Sequence, residues 1–269
     1  MDEHFGIILM IDALGVSKFN FEECKTFLEK RKNLERDLKI RKKTLGRLPN
    51  ASHYRNSSTS IFGDTIIHCW PIEKDQDGRY SVLTNIVEDS CEIMHWGLKN
   101  GILFRGCISV GEYVTEKNTV LGPALFDAND WYESADWFGI IFSPKAQLWV
   151  ESVLEENSRK SKHKESAGLG LQEFLVPYDV PLSHCSGSKN SKRFLTIGWP
   201  EAYDKTGEYE KMDETGRENL LNDLFKIHQS KEGESKFKNS IDFFDWHKRE
   251  FHQNRKFTPP KIKQQETGD

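Results

Sequence analysis

Residues 5–12, FGIILMID, form an unbroken apolar run that ends in a carboxylate. A run of this length with no polar alternation predicts a buried strand at the centre of a sheet. The chain must then supply further strands on either side of it and helices to cover it. Downstream, Phe21, Cys24, Phe27, Leu28, Leu34 and Leu38 recur at helical spacing through a charge-rich stretch to about Leu45, which predicts one long amphipathic helix. After a polar loop over 46–58, residues 59–70 (TSIFGDTIIHCW) read as two short strands around Gly63-Asp64, a tight hairpin. Val82, Leu83, Ile86, Val87, Cys91, Met94 and Leu98 share one helical face, and Gly101 ends that helix.

Further strands are expected at 102–114 and 138–142. Pro123 after Gly122 opens a helix over 123–137, and Pro144 opens another. The order β-α-β-β-α-β-α-β predicts an α+β fold with a ferredoxin-like split βαβ core and helices on one face. A Ser/Lys-rich stretch at 155–170 is expected as a surface loop, followed by strands in FLVPYDV and RFLTIGW. Helices near 215–230 and 236–252 then precede a disordered tail. The expected division is a domain over 1–200, a C-terminal helical extension over 201–252 and a tail over 253–269.

Composition narrows the function. Lys and Arg number 38 against 42 Asp and Glu, for a net charge of −4, which argues against a nucleic-acid partner. The first residues lack the basic n-region of a secretory signal, and no stretch approaches the length of a membrane span. The five cysteines, Cys24, Cys69, Cys91, Cys107 and Cys185, show no CxxC spacing and fit reduced thiols in a cytoplasm.

Asp12, at the end of the central strand, projects toward whatever lies above the sheet edge. The following residues, Leu14, Gly15, Val16 and Ser17, can turn their amides toward phosphate oxygens, and Gly15 permits close approach. Asp64 at the hairpin tip is ordinary turn chemistry taken alone. In a split βαβ core, however, that hairpin lies beside the first strand and both carboxylates can face one site. Two hard oxygen ligands suit a pair of Mg²⁺ or Mn²⁺ ions, and two ions serve an in-line phosphoryl displacement.

These segments resemble class III nucleotide cyclases. IDALGVSKF is similar to the family's first metal-binding segment, SIFGDTIIHCW to its second, FRGCISVGE to the following strand and LGPALFDANDWYES to the next helix. The resemblance covers roughly residues 5–143. It implies a homodimer in which one protomer supplies metals and phosphate loop, and its partner supplies base and transition-state contacts. It also implies Asp12, Asp64 and the carbonyl of Ala13 as metal ligands, with Leu14 through Ser17 around the β- and γ-phosphates.

The chain departs from the family at four positions. Adenylate cyclases carry a base-reading Lys where this chain has Ser60, and its Asp partner where this chain has Thr119. Rejection by unmatched hydrogen bonds is strong, so the base should change. The transition-state Asn and Arg fall at Phe126 and Asp130. Arg55, Arg105 and Lys117 are the candidate replacement cations, with Arg105 assigned the catalytic role.

The departures are similar to the bacterial antiphage pyrimidine cyclases of Pycsar systems, through Arg105–Glu112 and Gly122–Ala124. That likeness implies UTP as substrate, or CTP, and a cyclic product that acts on a separate effector protein. Tyr54, with Arg55 beside it, matches a tyrosine implicated in pyrimidine recognition. The competing readings are a cytidylate cyclase and a catalytically silent nucleotide-binding module.

His68, Cys69, Trp131 and Tyr132 are read as packing residues. Glu112 stands between turn and site. Phe243, Phe244, Trp246 and Phe251 are read as the face of a helix docked on the domain.

Overall fold

In the computed structural model the described residues are 2–47, 52–72, 79–117, 119–161, 171, 174–182, 191–203, 211–225 and 234–251. Strand β1 (Asp2–Ala13) is central. It pairs antiparallel with β3 (Thr65–Pro71) on one side and with β4 (Phe104–Glu116) on the other. Strand β2 (Ser58–Phe62) lies outside β3, and β5 (Thr119–Leu121) pairs with the end of β4. Beyond β4 come β6 (Gly139–Phe142), which runs parallel to it, then β8 (Ser191–Ile197) and β7 (Leu175–Pro181). The order is β2-β3-β1-β4-β6-β8-β7, so the first four strands stand as β2-β3-β1-β4. With helices after β1 and β3, that is the split βαβ core the hydrophobic pattern predicts.

Helix α1 (Phe21–Leu45) begins with a capping box. Asn20 Oδ1 accepts from the amides of Glu22 and Glu23, and Glu23 Oε2 accepts from the amide of Asn20 at 2.7 Å. Little of α1 is buried, chiefly Phe27 and Leu34. It is also held by charge: Arg41 ion-pairs with the buried Asp89 of α3 (Arg79–Lys99). Burial pushes Asp89 up to about 6, against the opposing pull of Arg41. A one-turn helix, α2 (Ser52–Arg55), enters β2.

Helix α4 (Pro123–Tyr132) covers the face of the sheet opposite α3. Ser109 Oγ donates to the carbonyl of Ala124 in α4, whereas Phe104 packs at Gly97 in α3. Positions 104 and 109 of one strand point to opposite faces. Helices therefore cover both faces and not one as the sequence reading expects, and this second cover is why β1 is apolar at every central position, with Ile7 through Ile11 all buried.

Helix α5 (Pro144–Ser161) continues through residues the sequence assigns to a surface loop. Residues 162–170 of that loop, the expected tail over 253–269 and the end of the helix expected at 215–230 lie outside the described residues. Several short elements escape the pattern-based reading, among them α2, β5 and α6 (Trp199–Tyr203).

Helices α7 (Glu214–Phe225) and α8 (Glu234–Trp246) follow. Phe243 and Phe244 of α8 are fully buried. Phe243 meets Trp137 edge-on at 4.6 Å and Tyr178 at 4.8 Å. The amide of Phe138, at the start of the β6 region, donates to Ser240 Oγ at 2.7 Å. In the turn after α8, Lys248 is buried and reaches Glu201 of α6 at 3.3 Å. Among the described residues no helix is long and apolar enough to cross a membrane.

Because Phe243 is fully buried among the rings of Trp137, Tyr178, Trp199 and Trp246, Phe243→Ala should cost about 3–5 kcal/mol in urea unfolding. A loss below about 1 kcal/mol would mean that α8 contributes little to the core.

Candidate active site

Strand pairing alone brings the two sequence-predicted carboxylates together. Asp12 stands opposite Thr65 on β3 and opposite Arg105 on β4. Thr65 follows directly on Asp64, so the register that pairs β1 with β3 places the hairpin tip over the end of β1. The Ala13 amide donates to the Asp64 carbonyl at 3.3 Å, and Thr65 Oγ1 donates to Asp12 Oδ1 at 3.0 Å. Gly63 has φ +58° and takes the first central position of the hairpin turn, where glycine is favoured. Arg31 of α1 donates to the Gly63 carbonyl and holds the tip from outside.

Burial raises the pKa of Asp12, and the charge of Asp64 raises it further; Thr65 and Arg105 oppose this in part. Two carboxylates that repel across a half-buried gap make a site that a divalent cation relieves. Among the described residues no group of three or more His, Cys, Asp or Glu side chains is arranged to hold an ion. The donors present are two carboxylates. That set fits Mg²⁺ or Mn²⁺, which keep several positions for water and substrate phosphates, and not a fully enclosing site.

The segment after Asp12 divides its amides. Leu14 donates to the Leu103 carbonyl at 2.8 Å, so its N–H is spent within the sheet, contrary to the phosphate-binding role expected of it. Gly15 is left-handed at φ +83° and starts a short 3₁₀ turn, Val16–Lys18. The turn closes through Lys18 to Gly15 and Phe19 to Val16. The amides of Gly15, Val16 and Ser17 have no protein acceptor among the described residues. Consecutive N–H groups left open beside a left-handed residue form a concavity suited to an anion.

Arg105 lies across from Asp12 and has two partners from the end of α4. Its Nη1 donates to the Glu133 carbonyl at 3.3 Å, and its Cζ lies 5.3 Å from the centre of the Tyr132 ring. Its buried Nε has no acceptor among the described residues. Tyr132 donates to Glu133 Oε1 at 2.9 Å, and burial with the nearby acids pushes it up to about 12. Tyr132 and Glu133 were not legible as site residues. The periodicity predicts a helix to 137, but α4 ends at Tyr132, and this early stop turns Glu133 back toward Arg105.

The residues predicted to read a base lie elsewhere. Tyr54 is 3% exposed, and its hydroxyl faces Asp89 and Arg41, so its ring is closed to stacking in this conformation. Arg55 donates to the Gly46 carbonyl at 3.2 Å, at the end of α1. Ser60 is buried mid-strand opposite Ile67. Thr119 is exposed and pairs with Glu116, at the end of β4 opposite Arg105. At ~3.3 Å per residue, the strand separates Thr119 from Arg105 by roughly 36 Å. Lys117, another candidate cation, occupies the turn between β4 and β5 with φ +55°. One chain therefore gathers Asp12, Asp64, Arg105 and the Gly15–Ser17 amides, and leaves Tyr54, Arg55, Ser60 and Thr119 outside.

His68 and Cys69 are buried, as packing residues should be. Thr59 Oγ1 lies 2.8 Å from His68 Nδ1, and burial holds His68 down to about 3. Phe126 and Asp130 lie exposed on α4.

No protein-family model matches the chain, and no curated protein is similar to it. Among solved structures, the chain is similar to the catalytic core of a rhodopsin-guanylyl cyclase with converted specificity in complex with ATPαS. The identity is 11% and the TM-score 0.40, over 73% of this chain and 96% of the other. An adenylate/guanylate cyclase/hydrolase from Silicibacter pomeroyi aligns at 13% identity and a TM-score of 0.34, over 73% of this chain and 98% of the other. At these scores the fold assignment rests on the sheet order and register above.

Neutralising Asp64 should remove its repulsion from Asp12. Asp64→Asn is therefore expected to lower the Asp12 pKa, read by carboxyl-carbon NMR; an unmoved titration would show that the two charges do not interact. The raised Asp12 pKa also fixes a sign for stability. The carboxylate's penalty is absent below its unfolded value of 3.8 and develops as pH rises through the folded value. Asp12→Asn should accordingly raise the melting temperature at neutral pH in EDTA, and should abolish any further gain from added Mn²⁺.

Proposed function

We propose that this protein is a nucleotide cyclase that converts UTP to 3′,5′-cyclic UMP and pyrophosphate. The observation that carries this reading is the convergence of Asp12 and Asp64 beside the open amides of Gly15, Val16 and Ser17. Carboxylates alone repel a triphosphate, and open amides alone do not activate a hydroxyl. Together they suit a metal-bound polyphosphate whose β- and γ-groups rest on the backbone.

In the proposed reaction the substrate's 3′-oxygen attacks the α-phosphorus, the bond from that phosphorus to the bridging oxygen breaks, and pyrophosphate departs. The 3′-hydroxyl proton passes to solvent. Asp12, Asp64 and the Ala13 carbonyl would hold the divalent ions, Mn²⁺ or Mg²⁺, which lower the pKa of the attacking hydroxyl and offset charge on the leaving group. Arg105, with its buried Nε uncommitted, steadies charge on the transferring phosphoryl.

Base recognition falls to a second copy of the chain, because Thr119 lies at the far end of β4 from Arg105 in the same chain. The absence of a charged pair at Ser60 and Thr119 supports a pyrimidine, with CTP the alternative substrate. The likeness of Arg105–Glu112 and Gly122–Ala124 to Pycsar cyclases supports an antiphage role, with the cyclic product acting on a separate effector. A silent nucleotide-binding module is the second reading, favoured by Asp130 where the related enzymes carry an Arg.

Purified protein incubated with each of the four ribonucleoside triphosphates and Mn²⁺ should release cyclic UMP, identified by mass. A purine product would overturn the base assignment, and binding without turnover would favour the silent module. Asp12→Ala and Asp64→Ala should each lower kcat by ~10²-fold or more with the fold intact. Arg105→Gln should lower kcat with little change in KM, the signature of a contact made in the transition state.

A further inference from the structure

The last turns of α1 and the end of α2 enclose a solvent-open pocket of about 340 Å³, lined by Lys39, Lys42, Lys43, Gly46, Arg47 and Arg55. All but one of these residues are cationic, in a chain of net charge −4. Like charges gathered this closely cost free energy unless anions offset them. Lys39 lies 2.6 Å from Glu35, but no carboxylate among the described residues pairs with Lys42, Lys43 or Arg47.

The walls of this pocket are fixed by the backbone. Arg55 Nη1 caps the Gly46 carbonyl at 3.2 Å, and Lys42 Nζ donates to the Ser57 carbonyl. A Cβ at position 46 would come within 2.7 Å of the Lys42 carbonyl and 3.2 Å of Arg55 Cγ, so glycine lets α2 close on α1. The macrodipole explains lysines in a last helical turn, which covers Lys42 and Lys43. It does not explain Arg47 and Arg55, which lie beyond the helix. Burial lowers the pKa of Lys42, and an anion placed beside it would offset that cost of holding the charge.

We infer that this pocket binds a multiply charged phosphate group, carried by inorganic polyphosphate or by a nucleotide, at a site separate from the Asp12–Asp64 pair. Its volume is near the lower bound of small-molecule sites, ~300–1,000 Å³. At ~1.5 Å per residue, Lys39 to Lys43 lie roughly 12–18 Å farther along α1 than Arg31, which touches Gly63 beside Asp64. A small ligand is favoured over a nucleic acid because Glu22, Glu23, Glu29, Glu35 and Asp37 interrupt the basic residues along α1. The cations converge on one concavity and do not form a track. The inference stands whether or not the chain is a cyclase.

The test is calorimetric titration of the full chain with sodium triphosphate in EDTA, where divalent-dependent binding is silent. Saturable binding is expected, weakening as salt rises. Asp12→Ala should leave it unchanged, and Lys43→Gln/Arg47→Gln should weaken it at least ~10-fold, about 1.4 kcal/mol. Both substituted side chains are exposed, and unchanged melting curves would show the fold intact; Lys43→Glu alone, a second variant, should weaken binding in the same direction. UTP titrated in parallel separates the two sources: equal affinity assigns the phosphate chain alone, and tighter binding assigns a nucleotide. No saturable binding of triphosphate, or binding unaffected by the double substitution, overturns the inference. So does tighter binding of duplex RNA lost in the double variant, which would make this a nucleic-acid surface.

Discussion

The antiparallel register of β1 against β3 and β4 is the constraint on which the candidate site depends. It sets Asp12 opposite both Thr65 and Arg105. Side chains alternate faces along a strand, so a slip of one residue in either pairing would send Asp12 or its neighbours to the wrong face of the sheet. Ile7 through Ile11 are all buried, so a slip is resisted by the fit of their individual side chains on both faces and not by an apolar/polar alternation. The apolar core of the central strand thus fixes the position of the charges at its end.

Holding those charges costs stability. Asp12 sits half-buried with Asp64 nearby, and the opposing help from Thr65 and Arg105 is incomplete. Local strain of this kind is tolerated where the surrounding structure is over-determined, as it is here by the hairpin, by Arg31 on the Gly63 carbonyl and by the Ala13–Asp64 hydrogen bond. Farther along α1 the charge is of the opposite sign, around Gly46. One helix therefore runs from an acidic site to a basic pocket, and Arg31 and Arg41 fasten it to the hairpin and to α3 between them.

The C-terminal helix contributes to the same rigidity. Phe243, Trp137 and Tyr178 form one contiguous ring cluster, and Ser240 bonds to the backbone just ahead of β6. Strand β6 is the parallel neighbour of β4, with Arg105 in register with Gly139. Packing by α8 accordingly supports the strand next to the one that carries Arg105.

Much of this was legible in the residues. The uninterrupted apolar run implied a central strand, helical periodicity placed α1 and α3, and Gly63-Asp64 marked the hairpin, since each depends on contacts between near neighbours in the chain. The pairing of Asp12 with Asp64 followed from the split βαβ order. The commitment of the Leu14 amide to Leu103, the closure of Tyr54 beneath Asp89 and Arg41, and the early end of α4 that brings Glu133 to Arg105 were not legible. Each depends on a partner distant in sequence, and a residue type reports its chemistry but not which backbone group or charge will satisfy it. Residue identity determined which atoms can bind and titrate; the tertiary structure decided which of them remain open, because burial and register consume some donors and leave others free.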